Sequence, residues 1–198
     1  MSELVTDGQV DLALSWLRWW SIDCWLTAEP EWREAAFYQL DEVQLRKLAR
    51  THHLQLCTQL QLSTSIAAVD DELLQLMHLP SPRRQLALRL VAEVCWRDDN
   101  RHCLTPGQQR WCRRIAQGIR PGLWLAPPPG VPTGDGAIDG LWLLSLRCGP
   151  LCWPRVRLHF SPDWVRAVER LPRSSDFPSR LLPLWQAAIW QAAQEPLC

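Results

Sequence analysis

The chain has 198 residues, 47% apolar and 21% charged, and its 21 basic residues balance 21 acidic ones. That length supports one hydrophobic core, or two small lobes sharing one, and the apolar content excludes disorder as the overall state. A pI near 6.9 lacks the strong basic bias of a dedicated nucleic-acid binder.

The opening residues, Met1 to Asp7, are acidic and carry no positive n-region, so no secretion signal is expected. Residues 9–28 place Val10, Leu12, Leu14, Trp16, Leu17, Trp20, Cys24 and Trp25 in a run with few breakers, which predicts a well-buried first helix. Pro30 suits the first position of a second helix, where Trp32, Ala36, Phe37 and Leu40 recur at helical spacing. A third helical segment follows from Asp41, with Val43, Leu45, Leu48 and Ala49 turned inward. The pattern leaves open whether it breaks from the second. Ser63 or Ser65 is the expected start of a helix running through Val69, Leu73, Leu76 and Met77.

Ser81-Pro82 then opens a helix to Trp96, and Thr105-Pro106-Gly107-Gln108 is a capping-box start for the next. Along that helix Trp111, Cys112, Ile115 and Ile119 line one face, while Arg110, Arg113 and Arg114 lie largely off it. Residues 120–137 are rich in proline and glycine and predict a long internal loop. That loop is expected to be mobile, to tolerate shortening and to contribute little to a core. Asp139–Cys148 reads as a short helix ended by Gly149-Pro150. Over Trp153–Phe160, Val156, Leu158 and Phe160 alternate with Arg155, Arg157 and His159, a strand pattern. Ser161-Pro162 starts a further short helix, and a last one runs from about Arg180 to Gln194. The expected fold is therefore all-α, a mainly helical single domain over 1–198, with a short strand or hairpin near 153–160 as the one exception the pattern admits.

The charge is unevenly placed. Residues 1–80 carry five Arg or Lys against twelve Asp or Glu, and residues 81–198 carry sixteen against nine. Such halves either attract each other or offer two unlike faces to partners. The longest apolar stretch, Leu141–Leu146, is far shorter than the roughly 18–20 residues of a spanning helix. Eight cysteines are scattered along a chain without a signal peptide, which predicts reduced thiols in a reducing cytosol. Thirteen tryptophans are mostly core material on this reading, with any exposed minority free to anchor a partner.

Catalytic patterns are sparse. The sequence has no phosphate-binding glycine loop, no Gly-x-Ser-x-Gly elbow and no His-Glu-x-x-His helix. Cys95, His102, Cys103 and Cys112 are the best metal candidates by residue type, but their spacing lacks the paired ligands of a structural zinc site. Core cysteines are the preferred reading, and no metal or cofactor is expected. Cys148 and Cys152 flank a Gly-Pro turn and make a weaker candidate still. His52-His53 suits a helix C-terminus, and no Cys/His nucleophile pair stands out. Arg110, Arg113, Arg114 and Arg120, with Trp111 and Trp124 nearby, raise nucleic-acid binding, but a solvated or acidic-partner-binding face fits the neutral chain better.

One family resemblance adds to this. From Ser81-Pro82 through Leu123-Trp124, then Gly140-Leu141-Trp142-Leu143 and Trp153-Pro154-Arg155-Val156-Arg157-Leu158, the chain resembles the K component of type III secretion systems (the SctK, YscK and OrgA/MxiK-like accessory proteins). The likeness covers roughly the second half; the first half matches in size and helical character. It implies a helical, non-enzymatic adaptor in the bacterial cytoplasm, peripheral to the inner membrane through its protein partners. Those partners would be the cytoplasmic domain of the inner-membrane ring protein and the pod protein that carries the stalk and ATPase. Neither nucleic acid nor direct membrane insertion is implied. With the charge pattern, Arg110, Arg113 and Arg114 become candidates for one partner, and Asp70, Asp71 and Glu72 for the other. Two other classes stay open: a small metal protein or enzyme using Cys95, His102, Cys103 and Cys112, and a nucleic-acid-binding regulator using the arginines.

Overall fold

The computed structural model describes residues 7–36, 40–97, 104–172 and 177–195. Among them the only regular elements are helices, and no strand occurs, as an all-α fold requires. No helix among them is long and apolar enough to cross a membrane. Phe37, His102, Cys103 and Cys198 lie outside the described residues.

The chain divides into two compact units, one formed by residues 1–77 and 148–162 and the other by 78–147 and 163–198. In the first unit, α1 (Asp7–Arg18) runs into a π-helical turn (Trp19–Asp23) and then α2 (Cys24–Leu26), much as the uninterrupted pattern over 9–28 suggests. Trp16, Trp19, Trp20 and Trp25 are all buried. The first three pack as a cluster, with ring centroids 5.2 Å (Trp16–Trp19), 5.5 Å (Trp16–Trp20) and 6.2 Å (Trp19–Trp20) apart. The π turn carries the Cys24 N–H past the Trp20 carbonyl to that of Trp19, five residues back. The Trp20 carbonyl accepts instead from Arg155 Nε at 2.9 Å and from the Cys24 thiol at 3.5 Å.

α3 (Pro30–Ala36) begins at the expected proline. α4 (Glu42–Thr51) is a separate helix, because Asp41 caps it in a complete capping box: the Gln44 N–H donates to Asp41 Oδ1 at 2.7 Å and the Asp41 N–H to Gln44 Oε1 at 3.0 Å. α5 (His53–Gln59) follows at once. Neither Ser63 nor Ser65 opens the next helix. Residues 62–70 lack regular structure, and α6 (Asp71–His78) starts where Asp70 Oδ1 accepts the Leu73 N–H at 2.9 Å.

The strand expected near 153–160 is absent, and that expectation is corrected. α9 (Gly136–Val156) is broken at Gly149, whose φ of 60° and ψ of −177° only glycine adopts cheaply. Pro150 then restarts the helix, and a 3₁₀ turn spans Arg157–His159. The alternation misleads because its polar members are not solvated. Arg155 and His159 are both buried, as are Val156, Leu158 and Phe160. His159 Nε2 accepts from Trp19 Nε1 at 3.3 Å, and Arg157 Nη2 donates to the Leu60 carbonyl at 3.3 Å. Polarity alternates here while burial does not.

The second unit is built around α7 (Ser81–Cys95), which buries Ala87, Leu88, Leu90, Val91, Ala92 and Val94. It packs against α8 (Pro106–Ile119) and α11 (Leu182–Gln194). Gly140 of α9 lies against the α7 backbone so closely that a Cβ there would sit 2.2 Å from the Leu88 carbonyl oxygen. α10 (Pro162–Glu169) starts at the expected proline. The Pro/Gly-rich segment is not a bystander to this core, contrary to expectation: Pro121, Leu125 and Val131 are buried. Its end is pinned as well, since the buried Asp139 accepts the Thr133 N–H at 2.8 Å and Asp135 Oδ1 accepts the Ala137 N–H at 2.8 Å.

Candidate protein-binding surfaces

The α8 surface is set by its sequence. Thr105 and Gln108 exchange hydrogen bonds at 3.3 and 2.9 Å, and Pro106 fills the first position, so the helix start is fixed. Gln108 and Cys112 are then buried, with Trp111, Ile115 and Ile119 half-buried along the same side. Arg110, Arg113 and Arg114 are exposed, as the periodicity predicts. Arg120 continues the exposed row past the helix end. Among the described residues, no carboxylate pairs with any of these four guanidinium groups.

Arg120 itself closes α8 in the left-handed region, φ 48° and ψ 61°, with its N–H on the Ala116 carbonyl at 2.8 Å. Glycine is the usual residue for that position because a Cβ strains it. The two aromatics that could have stacked on bases are otherwise engaged. Trp124 donates its Nε1–H to the Ile119 carbonyl at 2.8 Å, and the Arg180 guanidinium lies 5.8 Å over its ring. Trp111 is half-buried on the apolar side of its helix.

The acidic candidates differ in kind. Asp70 caps α6, so its carboxylate already holds a backbone N–H. Asp71 is exposed and accepts from Gln75 Nε2 at 3.0 Å, one helical turn on. Glu72 is half-buried and has its own partners. Only Asp71 is an exposed acid without a capping duty. The acidic group belongs to the first unit and the arginine row to the second.

Exposed apolar side chains add two features the charge pattern did not reveal. On α1, Val10, Leu14 and Leu17 recur at helical spacing and stay exposed, Leu14 by 59%. On α11, Trp190 is 63% exposed, and among the thirteen tryptophans it alone falls in the exposed class. The signal was present in the sequence, because Gln186, Trp190 and Gln194 share a helical face opposite Trp185, Ala188 and Ile189.

The proposed metal ligands sort differently. Cys95 and Cys112 are buried in the second unit, and burial pushes each thiol up to about 12, with Glu93 a lesser cause at Cys112. The Cys112 thiol faces the Leu90 carbonyl at 3.7 Å. A zinc ligand must be a thiolate, which such surroundings oppose. Among the described residues, no group of three or more His, Cys, Asp or Glu is placed to hold a metal ion. Cys148 and Cys152 are half-buried and are not joined in a disulfide. His53 Nε2 lies 3.5 Å from the Cys57 sulfur, whose pKa is raised by burial and lowered in part by Arg155. That direction disfavours a nucleophilic thiolate.

Sequence reasoning missed Arg155, the most unusual polar residue of the first unit. It is 1% exposed, donates through Nε to the Trp20 carbonyl and through Nη2 to the Ser63 carbonyl at 2.8 Å, and lies 4.1 Å over the Trp20 ring. Among the described residues no carboxylate pairs with it, and burial lowers its pKa. Its partners lie 135 and 92 residues away in sequence, so nothing local announced them. The group ties a turn, a loop and a helix together, and its charge also acts on the Cys24, Cys57 and Cys152 thiols.

Compared with known proteins, the chain matches no family model, no curated protein and no solved structure.

Proposed function

We propose that this protein is a non-enzymatic adaptor that binds two protein partners, and that it serves a bacterial type III secretion sorting platform. The observation that carries the adaptor reading is the distribution of exposed features. One unit presents Asp71 and the apolar row Val10, Leu14 and Leu17, and the other presents Trp190 and four arginines that meet no carboxylate among the described residues. Charged rims of unlike sign set orientation and association rate, while apolar anchors supply most of the affinity. The secretion setting rests on the sequence resemblance alone. In that setting the chain would link the cytoplasmic domain of the inner-membrane ring to the pod protein, and so to the stalk and ATPase.

Pairwise pull-down with each of those two proteins, at two salt concentrations, tests the reading. Wild-type protein captures both, and charge reversal at Arg110, Arg113 and Arg114 weakens capture of one only. Asp71→Lys is the cleaner acidic variant, since Asp70→Lys would also remove a helix cap. A deletion strain makes the secreted substrates but fails to export them. Capture of neither partner, with normal secretion in the deletion strain, refutes the reading.

A further inference from the structure

The strained end of α8 says more about what this face binds. Arg120 occupies a left-handed position where glycine would be unstrained, and its side chain is exposed. Among the described residues, nothing within the protein compensates that strain through the guanidinium. Non-glycine residues in this region cluster at functional sites, where the strain is part of how a group is presented. Arg120 extends a row that begins at Arg110 and continues through Arg113 and Arg114, about 15 Å of helix at 1.5 Å per residue. One tight turn further on, where the Leu123 N–H meets the Arg120 carbonyl at 3.1 Å, Leu123 is 78% exposed.

We infer that the arginine row of α8, ended by Arg120 and Leu123, is the docking face for an acidic amphipathic helix of a protein partner. Charge complementarity selects the occupant. Four guanidinium groups that meet no carboxylate among the described residues, at 110, 113, 114 and 120, match a helix bearing Glu or Asp at i, i+3 and i+4 with a further acid at about i+11 to face Arg120. Arginine favours paired hydrogen bonds to carboxylates over diffuse attraction. The terminal leucine asks for an apolar residue at the end of that acidic row. A single-stranded nucleic acid fits less well, because Trp124 is committed to its own helix end and Trp111 is half-buried. A lipid surface fits less well, because among the described residues Leu123 is the one exposed large apolar side chain of this helix end.

This inference deepens the adaptor reading and rests on it, but it is tested separately. The probe is a fluorescein-labelled helical peptide of about 16 residues, with Glu at those spacings and Leu at the end of the row. It is titrated into the full-length protein beside the same peptide with Lys for Glu, a single-stranded DNA of similar length, and vesicles containing anionic lipid. Saturable, salt-sensitive binding of the Glu peptide is expected, weakened at least about tenfold by Arg113→Glu with Arg114→Glu. Arg120→Gly is the sharper variant. It relieves the left-handed strain and raises Tm by about 2 °C, yet weakens the peptide several-fold. Equal binding of the Glu and Lys peptides, tighter binding of DNA or vesicles, or no loss in the charge-reversed protein with its helical circular dichroism intact overturns the inference. So does an Arg120→Gly protein that binds as well as wild type. Failure of the peptide with both pull-downs intact removes this inference alone, whereas failure of the pull-downs removes the adaptor reading.

Discussion

In the first unit a guanidinium is held against an indole; in the second, two helix backbones meet where a glycine lets them. Arg155 meets the Trp20 and Ser63 carbonyls and lies against the Trp20 ring, so a costly buried charge is offset by directed hydrogen bonds and a cation–π contact. α7 and α9 need no such device, because Gly140 removes the side chain that would separate them and dispersion contacts follow. The contrast teaches that burial here is achieved once by satisfying a polar group and once by deleting a steric one. Each solution fails in its own way.

The steric one fails hardest. Gly140→Ala places a methyl carbon 2.2 Å from a backbone carbonyl oxygen, and a backbone cannot swing aside as a flexible side chain can. A loss of more than about 3 kcal/mol is expected, read as a large fall in the urea midpoint or as insoluble protein. A variant as stable as wild type would show that the second unit is packed less tightly than its geometry states.

The polar device should tolerate less drastic change. Arg155→Met keeps a long apolar side chain but removes the donors to the Trp20 and Ser63 carbonyls, leaving the first only the weak Cys24 thiol, a cost of about 2 kcal/mol by chemical denaturation. Arg155→Lys keeps the charge without the forked geometry and recovers only part of that loss. Equal stability of the Met variant and wild type would mean the arginine is a passenger.

Alkaline pH probes both units at once. Cys24 in the first and Cys95 and Cys112 in the second have thiols raised by burial to about 12 from an ordinary 9.0. Unfolded thiols ionise first, so their stabilising contribution is complete below pH 9 and declines as pH climbs toward 12. The slope is roughly 1.4 kcal/mol per pH unit for each such thiol. Five further cysteines, one Lys and one Tyr also belong to side-chain types that ionise in or near that range, so the comparison with a single-cysteine variant is needed. Urea midpoints measured from pH 7 to 10.5 should stay level and then drop, and Cys24→Ala should flatten the drop. An unchanged slope in that variant would remove Cys24 from the account.

The smallest effect belongs to the caps. Thr105→Ala in the second unit and Asp41→Ala in the first should each cost about 1 kcal/mol, because each removes one half of a reciprocal capping box. A much larger loss at either position would mean that its helix end carries tertiary load beyond the cap.

These caps also mark what was legible. Thr105 with Gln108 is a local signal spanning three residues, and the structure realises it; the exposed arginines of α8 follow from the same helix period. The Asp41 box has the same span, yet the apolar pattern across it hid the break between α3 and α4. Arg155 was illegible for the opposite reason. Whether an arginine faces water or a carbonyl depends on partners on distant segments, so its alternation with Val156 looked like a strand face. The proline-rich segment misled similarly: its composition speaks of turns, while the burial of Leu125 and Val131 depends on what lies beneath them. The acidic trio was legible as charge but not as structure, since nothing in its composition separates the capping Asp70 from the exposed Asp71.

Trp190 has an optical consequence. With Trp190 63% exposed and the other twelve tryptophans buried or half-buried, a collisional quencher such as iodide reaches the indole on the outer face of α11 most readily. The protein thus carries its own reporter of whether that face is covered. Shielding of the quenchable emission upon assembly, and its disappearance in Trp190→Phe, would register occupancy of α11 without any attached dye.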